Sequence, residues 1–281
     1  MASGIKRPRF LYLAVAGLML TLLGCRHAES RTMDVYFFDV GYGDAIAVRF
    51  SPNRILLIDA GDVQTAQELP RLLNARNIRQ IDYAIISHPH KNHYAGFWEV
   101  IKKFPIVKVF VNGDFRITED HHPNHIRLMS ELQNRDIPIL SLSQKTALES
   151  PAKGVSFKVF HPNGPEKNVN EQSLVFKITF KDTSFLFTSD IGPKIQDRLI
   201  EEFGEELQAD VVQIPHHGGP ISKKFAEFFK GSIFVVSTGE NPWGLPREEQ
   251  MDWLEGTLYR TDRNGTIHLI SNGEVVTRKE S

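Results

Sequence analysis

Cysteine is nearly absent from this 281-residue chain, in which Cys25 is the only one. An internal disulfide is therefore excluded, so a folded domain must be held together by its hydrophobic core, which is feasible at this size. Internal repeats and long glycine, serine or glutamine tracts are also missing. Hydrophobic residues make up 41% and charged residues 24%, and this composition excludes a large disordered region. The length suits one α/β domain or two small domains.

The first 24 residues are predicted to lie outside the fold. Lys6, Arg7 and Arg9 give a basic start to the chain. The apolar run Phe10–Gly24 is about as long as the hydrophobic region of a secretory signal and too short for a comfortable membrane span. The run leads through Leu-Leu-Gly into Cys25, which resembles a bacterial lipoprotein signal, in which the cysteine is acylated and becomes the new N-terminus. The alternative is an uncleaved anchor helix with a chance cysteine.

The lipoprotein resemblance implies an exported protein that a lipid on Cys25 anchors to the bacterial cell envelope. The predicted boundaries are a signal over residues 1–24, a tether over 25–33 and a folded domain over 34–281. Loss of the three basic residues of the signal changes the formal charge from −1 to about −4. A chain with this charge has no general electrostatic attraction to nucleic acid.

Strand-like and helical segments alternate along the rest of the chain. Residues 33–62 are typical of three strands, rich in β-branched and aromatic residues and interrupted by glycines. Alternating helices and strands follow up to a second β-rich stretch over residues 155–190. The alternation then resumes, with its last helix predicted over residues 246–256, and ends in a hairpin. Two halves of this kind favour an α/β fold with two packed sheets and helices outside over a single doubly wound sheet.

Three histidines lie within six residues of the segment "ISHPHKNHYAG", residues 86–96. His88 and His90 alternate by two at a strand end and so point the same way, and His93 returns toward them at the start of a helix. Neutral imidazoles of this kind suit zinc and similar divalent ions. The alternative is a polar helix cap with exposed histidines.

Two distant segments favour the metal site. "FLFTSD" ends a hydrophobic strand in Asp190, and "VVQIPHHGG" ends another in His216 and His217. A carboxylate and further histidines at strand ends give ligands that can converge from three loops. Alone, Asp190 would be an ordinary helix N-cap, and the histidine pair would be a glycine-flanked turn.

These segments together resemble the metallo-β-lactamase-like hydrolases, whose signature is His-x-His-x-Asp-His. A closer similarity is to the hydrolase-like domain of the ComEC family of DNA-uptake competence channels. It is carried, in order, by "FDVGYGDAIAV", "NEQSLVFKITFKDTSFLFTSDI", "ADVVQIPHHGG" and "YRTDRNGTIHL". The similarity extends from about Val35 to Ile270 and implies a four-layer αββα sandwich of the metallo-β-lactamase type.

The resemblance also implies a site for one or two divalent ions, with zinc expected before manganese. The implied metal ligands are His88, His90, His93, Asp190 and one or both of His216 and His217. Asp190 is expected between two ions, where it bridges them or orients the attacking water.

Other residues are expected to support this site. Asp59, in "LIDAG", matches the family aspartate that orients the histidine loop through hydrogen bonds. Asp39 and Asp44, in "DVGYGDA", match a motif near the site. For these two, a role in forming turns beside glycine is about as expected as a catalytic one. His161 is expected to approach the site from the side.

Two positions depart from the family pattern. Asn92 occupies the place of the signature aspartate, which binds the second metal and accepts the proton of the attacking water, and Leu245 stands where a histidine is expected. An amide is neutral and a poor base, so the second metal position loses one negative charge. A single ion that lowers the pKa of water to about 7 can still supply hydroxide. General-base assistance contributes roughly 100- to 10,000-fold, so the amide is expected to slow turnover without abolishing it.

The expected activity is metal-dependent hydrolysis, with Asp190, Asn92 and Asp39 as the catalytic residues. Phosphodiesters or nucleic acids are the substrate class by resemblance alone, and β-lactams are less expected. The competing interpretation is a weakly active or inactive pseudoenzyme that serves as a surface-anchored binding module. Asn92 and Leu245 favour this second interpretation, whereas the intact histidines with Asp190 favour the first.

Overall fold

The computed structural model describes residues 32–51, 54–114, 123–146 and 150–280. The predicted signal and the predicted lipid-bearing Cys25 lie outside the described residues. The first strand begins at Met33, one residue before the predicted start of the domain. None of the helices in the described ranges combines the length and apolar character that a membrane crossing requires.

Strands and helices alternate along the described ranges. The strands are β1 Met33–Phe37, β2 Ile46–Ser51, β3 Arg54–Ile58, β4 Tyr83–Ile86, β5 Val109–Val111, β6 Ile139–Ser141, β7 Val155–His161, β8 Val175–Phe180, β9 Thr183–Phe187, β10 Val211–Gln213, β11 Ile233–Val236, β12 Thr257–Arg260, β13 Ile267–Ser271 and β14 Val276–Lys279. The helices are α1 Glu68–Ala75, α2 Lys91–Tyr94, α3 Phe97–Lys103, α4 Pro123–Asn134, α5 Pro193–Phe203, α6 Lys223–Phe228, α7 Glu248–Met251 and α8 Thr261–Asn264. Short 3-10 turns lie at Val63–Thr65, Asn170–Gln172, Gly204–Leu207 and Pro215–His217.

The strands form two mixed sheets. The first has the order β14-β13-β1-β2-β3-β4-β5-β6, and the second has the order β12-β11-β10-β9-β8-β7. Strands β3 to β6 are parallel in the first sheet, as are β9 to β12 in the second. Parallel neighbours need crossover connections, and helices supply them: α1, α3 and α4 in the first sheet and α5, α6 and α7 in the second.

Apolar side chains fill the space between the two sheets and on both outer faces. Phe37 of the first sheet packs against Phe187 of the second, whose ring also stacks on Phe176. A fully buried phenylalanine contributes about 1.5–3 kcal/mol to stability. Outside, Leu73 and other helix residues cover the first sheet, and Phe225 belongs to the cluster that covers the second. Helices, two sheets and helices therefore form four layers, which confirms the predicted αββα sandwich.

The carboxyl ends of strands from both sheets meet at one place. Asp59 and Ser87 directly follow β3 and β4 in the first sheet, while Asp190 and His216 follow β9 and β10 in the second. The Ser189 hydroxyl donates a hydrogen bond of 2.8 Å to the Ser87 hydroxyl and so joins the two sheets there. Loops on this rigid frame hold the predicted site residues.

Candidate metal centre

The histidine loop leaves β4 and enters the short helix α2. His88 lies in the loop, His90 is the N-cap of α2, and His93 lies within the helix. Nε2 of His88 and Nδ1 of His90 face each other at 3.1 Å. His88 and His93 are both fully buried, which is unusual for histidine unless its nitrogens have partners.

Asp59 fixes this loop from behind. Its carboxylate accepts hydrogen bonds from the Ser87 backbone N–H at 2.8 Å, from the Ser87 hydroxyl at 2.6 Å and from His93 Nδ1 at 2.8 Å. Because Nδ1 of His93 is directed at Asp59, the ring turns its Nε2 toward the centre. Asp59 holds a left-handed backbone with φ of 56°, the kind of local strain that is found at functional sites.

The same chain of hydrogen bonds sets the tautomer of His88. Nδ1 of His88 lies 3.1 Å from the hydroxyl of Ser87 and 3.2 Å from that of Ser189. The Ser189 hydroxyl donates to Ser87, and the Ser87 hydroxyl donates to Asp59, so both hydroxyls are acceptors toward His88. Nδ1 of His88 therefore carries the proton, and its Nε2 lone pair faces the centre.

Asp190 lies in the middle of the histidines. Its Oδ2 is 3.3 Å from Nε2 of His93, 3.5 Å from Nε2 of His88 and 3.8 Å from Nε2 of His216. Its Oδ1 is 3.7 Å from Nε2 of His217. The carboxylate is 2% exposed, and four imidazoles from two separate loops thus surround it.

A strained turn presents the histidine pair. His216 and His217 have left-handed φ values of 54° and 57°, and Gly218 follows with 80°. Nδ1 of His217 donates to the Ser237 carbonyl at 2.9 Å, which leaves its Nε2 lone pair pointing at the centre. The amide nitrogen of Asn92 lies 2.8 Å from that Nε2. His217 is buried, whereas 29% of the His216 side chain is exposed.

Potential ligand atoms form two groups that share Asp190. One group consists of His88, His90 and Asp190, and the other of Asp44, His93, Asp190 and His217, with all ligand atoms of a group within 4.8 Å of one another. Three buried atoms of the second group have no hydrogen-bond partner: Oδ1 of Asp44, Nε2 of His93 and Oδ1 of Asp190. Unpaired buried polar atoms are rare and costly, so their convergence fits a bound cation.

Burial and opposite charges shift the pKa values in this centre. Burial lowers the pKa of His88 and of His217, so both are neutral, the form that binds a metal. Burial also acts to lower the pKa of His93, but the carboxylates of Asp190 and Asp59 outweigh it and raise that pKa. Burial works to raise the pKa of Asp190, and the surrounding histidines, His93 first, hold it well below the ordinary value.

Three residues considered from the sequence lie apart from both ligand groups. Asp39 is exposed, and its carboxylate accepts the Gly41 N–H at 3.3 Å, as a turn residue does. His161 donates from Nε2 to the Glu171 carbonyl at 2.6 Å and accepts from Arg198 at 3.3 Å. Leu245 is bound through its backbone to Asn241. The catalytic role of Asp39 stays a prediction.

Comparison with known proteins identifies the family. A family model described as Metallo-beta-lactamase superfamily matches residues 38–223. The chain belongs to the metallo-beta-lactamase superfamily. Its predicted family and fold are thereby confirmed, and the superfamily consists mostly of hydrolases whose fold binds divalent metal ions, often zinc.

Two curated bacterial proteins are similar to the chain. ComE operon protein 3 of Bacillus subtilis (strain 168) is 24% identical over 273 residues, which cover 89% of this chain and 34% of that protein. Competence protein ComA of Neisseria gonorrhoeae is 27% identical over 242 residues, which cover 83% of this chain and 31% of that protein. The chain thus spans about a third of the length of these relatives.

A solved structure shares the fold. Igni18, a metallo hydrolase from the hyperthermophilic archaeon Ignicoccus hospitalis KIN4/I, superposes with a TM-score of 0.50 at 12% sequence identity. The match covers 84% of this chain and 98% of that structure. At this identity the similarity bears on the fold alone.

Several residues that build the centre are not predicted from the sequence. Ser87 and Ser189 orient His88, Ser237 orients His217 through its carbonyl, and Gln213 donates to Asp44 at 2.8 Å. The positions of Ser87 and Ser189 could have indicated this role, because each serine follows a buried strand and directly precedes a predicted ligand. Nothing in the sequence pattern pointed to Ser237 or Gln213, whose partners are distant in the chain.

Proposed function

We propose that this protein is a metal-dependent hydrolase of phosphodiester bonds, with nucleic acids as the substrate class. The observation that carries the proposal is the convergence of buried, partly unpaired ligand atoms around Asp190. The donors are imidazole nitrogens and carboxylate oxygens, which suit zinc or manganese. Two overlapping groups that share one carboxylate would hold two ions.

Each residue of the centre has a separate task in this proposal. His88 and His90 would hold one ion, and His93 and His217 would hold the other, with Asp190 available to both. A divalent ion in such a place supplies Lewis-acid activation of a phosphoryl oxygen and of water. His216, partly exposed and 3.8 Å from Asp190, is placed to donate a hydrogen bond to the substrate.

The substrate class is inferred from relatives and from the surface of the site. One of the curated relatives is named a competence protein, and the motifs of the chain resemble the ComEC family of DNA-uptake channels. Tyr42 lies beside the centre, with its ring 4.6 Å from that of His217 and 4.8 Å from that of Trp243. Since the chain has no excess of positive charge, we expect specific contacts at the centre, rather than nonspecific attraction, to bind the substrate.

Hydrolysis assays with metal-loaded protein test the proposal. The purified protein is loaded with Zn²⁺ or Mn²⁺ and assayed against bis(p-nitrophenyl) phosphate and labelled single-stranded DNA, with a chromogenic β-lactam for comparison. We expect hydrolysis of the phosphodiesters, and its loss in His88→Ala. His268→Ala is the matched control, because His268 pairs with Asp34 outside both ligand groups. Metal-loaded wild type without phosphodiesterase activity would rule the proposal out.

A catalytically silent binding module is the second candidate. The observation that favours it is the hydrogen bond from the Asn92 amide to His217, which occupies a lone pair that a metal would need. In that case the protein binds single-stranded DNA or another ligand without cleaving it. Binding that persists while hydrolysis stays at the level of the metal-free protein would support this candidate.

We propose further that the protein is exported and held at the bacterial cell envelope by a lipid on Cys25. The basic start, the apolar run and the cysteine that follows it support this localisation. The metal centre would then act outside the cytoplasm, on substrate that reaches the cell surface or the periplasm.

A further inference from the structure

Asp44 is a buried carboxylate that has no task in the proposed function. Only 2% of the residue is exposed. Its Oδ2 accepts a hydrogen bond of 2.8 Å from Gln213, while its Oδ1 makes no hydrogen bond and lies 3.9 Å from Nδ1 of His217. A buried carboxylate of this kind is normally paired with a cation or a metal ion.

The loop that carries Asp44 is fastened to the loop that carries Asn92. The backbone N–H of Asp44 donates to the Asn92 carbonyl at 3.2 Å. A Cβ on the neighbouring Gly43 would lie 2.3 Å from that carbonyl oxygen, and Gly43 has φ of +137°. Only glycine permits this backbone and this approach. The Asp44 carboxylate therefore enters the centre next to the position where the signature carboxylate is missing.

The unpaired atoms identify the ligands of the second group. Asp44, His93 and Asp190 each present one buried atom without a partner, within 4.8 Å of the ligand atom of His217. No atom of Asn92 is among these unpaired buried atoms, and its amide nitrogen lies 2.8 Å from Nε2 of His217. The side-chain oxygen that is free to bind a metal here thus belongs to Asp44 and not to Asn92.

We propose that Asp44 is the carboxylate ligand of the second metal position and takes the place of the signature aspartate that is absent at Asn92. The signature aspartate has two tasks, which are to bind the ion and to accept the proton of the attacking water. Asp44 takes over the first task and restores the missing negative charge. This inference rests on the proposed function only in requiring an ion at the centre.

Metal content in a carboxylate-exchange series tests this assignment. Wild type, Asp44→Asn, Asn92→Asp and the double variant are equilibrated with Mn²⁺ or Zn²⁺, and bound ions per chain are counted by inductively coupled plasma mass spectrometry and titration calorimetry. We expect Asp44→Asn to lose one ion per chain and the double variant, with its carboxylate moved to position 92, to regain it. Asn92→Asp alone should keep the wild-type number.

The control is Asp82→Asn, which neutralises a buried carboxylate that accepts the Ile55 N–H at 2.9 Å outside both ligand groups. It should bind as many ions as wild type. An Asp44→Asn variant that is folded and binds the wild-type number of ions with unchanged affinity would overturn the assignment.

A metal-soaked crystal structure of the wild type gives an answer that does not depend on variants. We expect anomalous density for an ion about 2.0–2.2 Å from an oxygen of Asp44. An ion on His93, Asp190 and His217 with Asp44 outside bonding distance would contradict the inference. Neither measurement depends on turnover. An inactive protein that binds its second ion through Asp44 would therefore disprove the proposed function but support the assignment of Asp44 as a ligand.

Discussion

At the residue scale, one carboxylate orients two imidazoles. Asp59 bonds directly to His93 and, through the Ser87 hydroxyl, determines the tautomer of His88. Both histidines therefore direct Nε2 at the centre before any ion arrives. Such supporting hydrogen bonds fix ring orientation and raise the basicity of a ligand.

Replacing Asp59 should weaken metal binding without removing a ligand. In Asp59→Asn the amide has one acceptor oxygen for the three donors that the carboxylate now satisfies. We expect metal affinity to fall roughly 10- to 100-fold, as is typical when a metal-bound histidine loses its hydrogen-bond partner. Titration calorimetry with Zn²⁺ measures it, and Asp82→Asn is the control. Equal affinities in Asp59→Asn and wild type would show that the histidines are oriented without Asp59.

Restoring a carboxylate at position 92 should speed turnover. Asn92 lies 2.8 Å from His217 and cannot accept a proton from water at neutral pH. In Asn92→Asp the proton acceptor returns, and we expect kcat on bis(p-nitrophenyl) phosphate to rise by about 100-fold or more. Metal content is measured in parallel. A variant with unchanged metal content and unchanged kcat would show that another residue already accepts this proton.

His161 should make stability depend on pH. Burial lowers the pKa of His161 below its ordinary value of 6.5, and Arg198 at its Nδ1 acts in the same direction. As the pH falls below 6.5, His161 therefore takes up a proton in the unfolded chain before it does so in the folded chain. The contribution of neutral His161 to the unfolding free energy is thus present at neutral pH and is lost as the pH falls.

The His161→Gln variant isolates this effect. Its amide keeps a donor for the Glu171 carbonyl but does not titrate. Urea denaturation at about pH 7.5 and about pH 5.5 should show a smaller loss of unfolding free energy on acidification in the variant than in wild type. Equal losses would assign the acid sensitivity to other groups.

At the scale of the elements, close backbone contacts position the site loops. Gly96 is the N-cap of α3, and a Cβ there would lie 1.8 Å from the carbonyl oxygen of Ala60, next to Asp59. The strand end that carries Asp59 thus packs directly on the helix that follows the histidine loop. Long-range placement of this kind depends on which strands are neighbours, and the helical pattern of the segment alone does not show it.

A pair of glycine variants tests this contact. Gly96 and Gly192 both precede a helix with negative φ, but a Cβ at Gly192 would meet nothing within 4 Å. We expect Gly96→Ala to lower the unfolding free energy by about 1–3 kcal/mol or more, because the two backbones must separate. Gly192→Ala should change it by less than about 0.5 kcal/mol. Chemical denaturation compares the two, and similar effects would argue against a strained contact.

Most elements follow from their sequence periodicity, and the exceptions have physical reasons. The predicted helix over residues 246–256 is a single turn, α7, of four residues. The strand β12, which no pattern predicted, pairs with β11 alone at the edge of the second sheet. Its four residues are too short to show a period, so only the neighbouring strand defines it.

At the scale of the whole molecule, the site needs both sheets. Asp59 and the histidine loop come from the first sheet, while Asp190 and His217 come from the second. The apolar layer between the sheets, with Phe37 on Phe187, sets their separation. A metal bound to ligands from both sides should therefore stabilise the entire sandwich.

The proposed lipid anchor also belongs to this scale. A Cys25→Ala variant lacks the thiol that is acylated, so in a bacterial host it should lose labelling by a fatty-acid analogue and move from the detergent phase to the aqueous phase. Detergent partitioning and intact mass measure this. Ser30→Ala, a few residues further on, is the control and should behave as wild type. Unchanged labelling of Cys25→Ala would disprove the anchor.

The sequence by itself determined the family, the four layers and the histidine loop, because periodicity and motif order are local properties of the chain. His88, His90, His93, Asp190 and His217 were predicted as ligands in this way, and they lie together in the two ligand groups. Only the tertiary structure decided that Asp44 joins the ligand group while Asp39 lies in an exposed turn, although both belong to one short motif. The reason is physical. Whether a carboxylate becomes a ligand depends on which atoms from distant parts of the chain are buried beside it, and the packing of the two sheets determines which atoms those are.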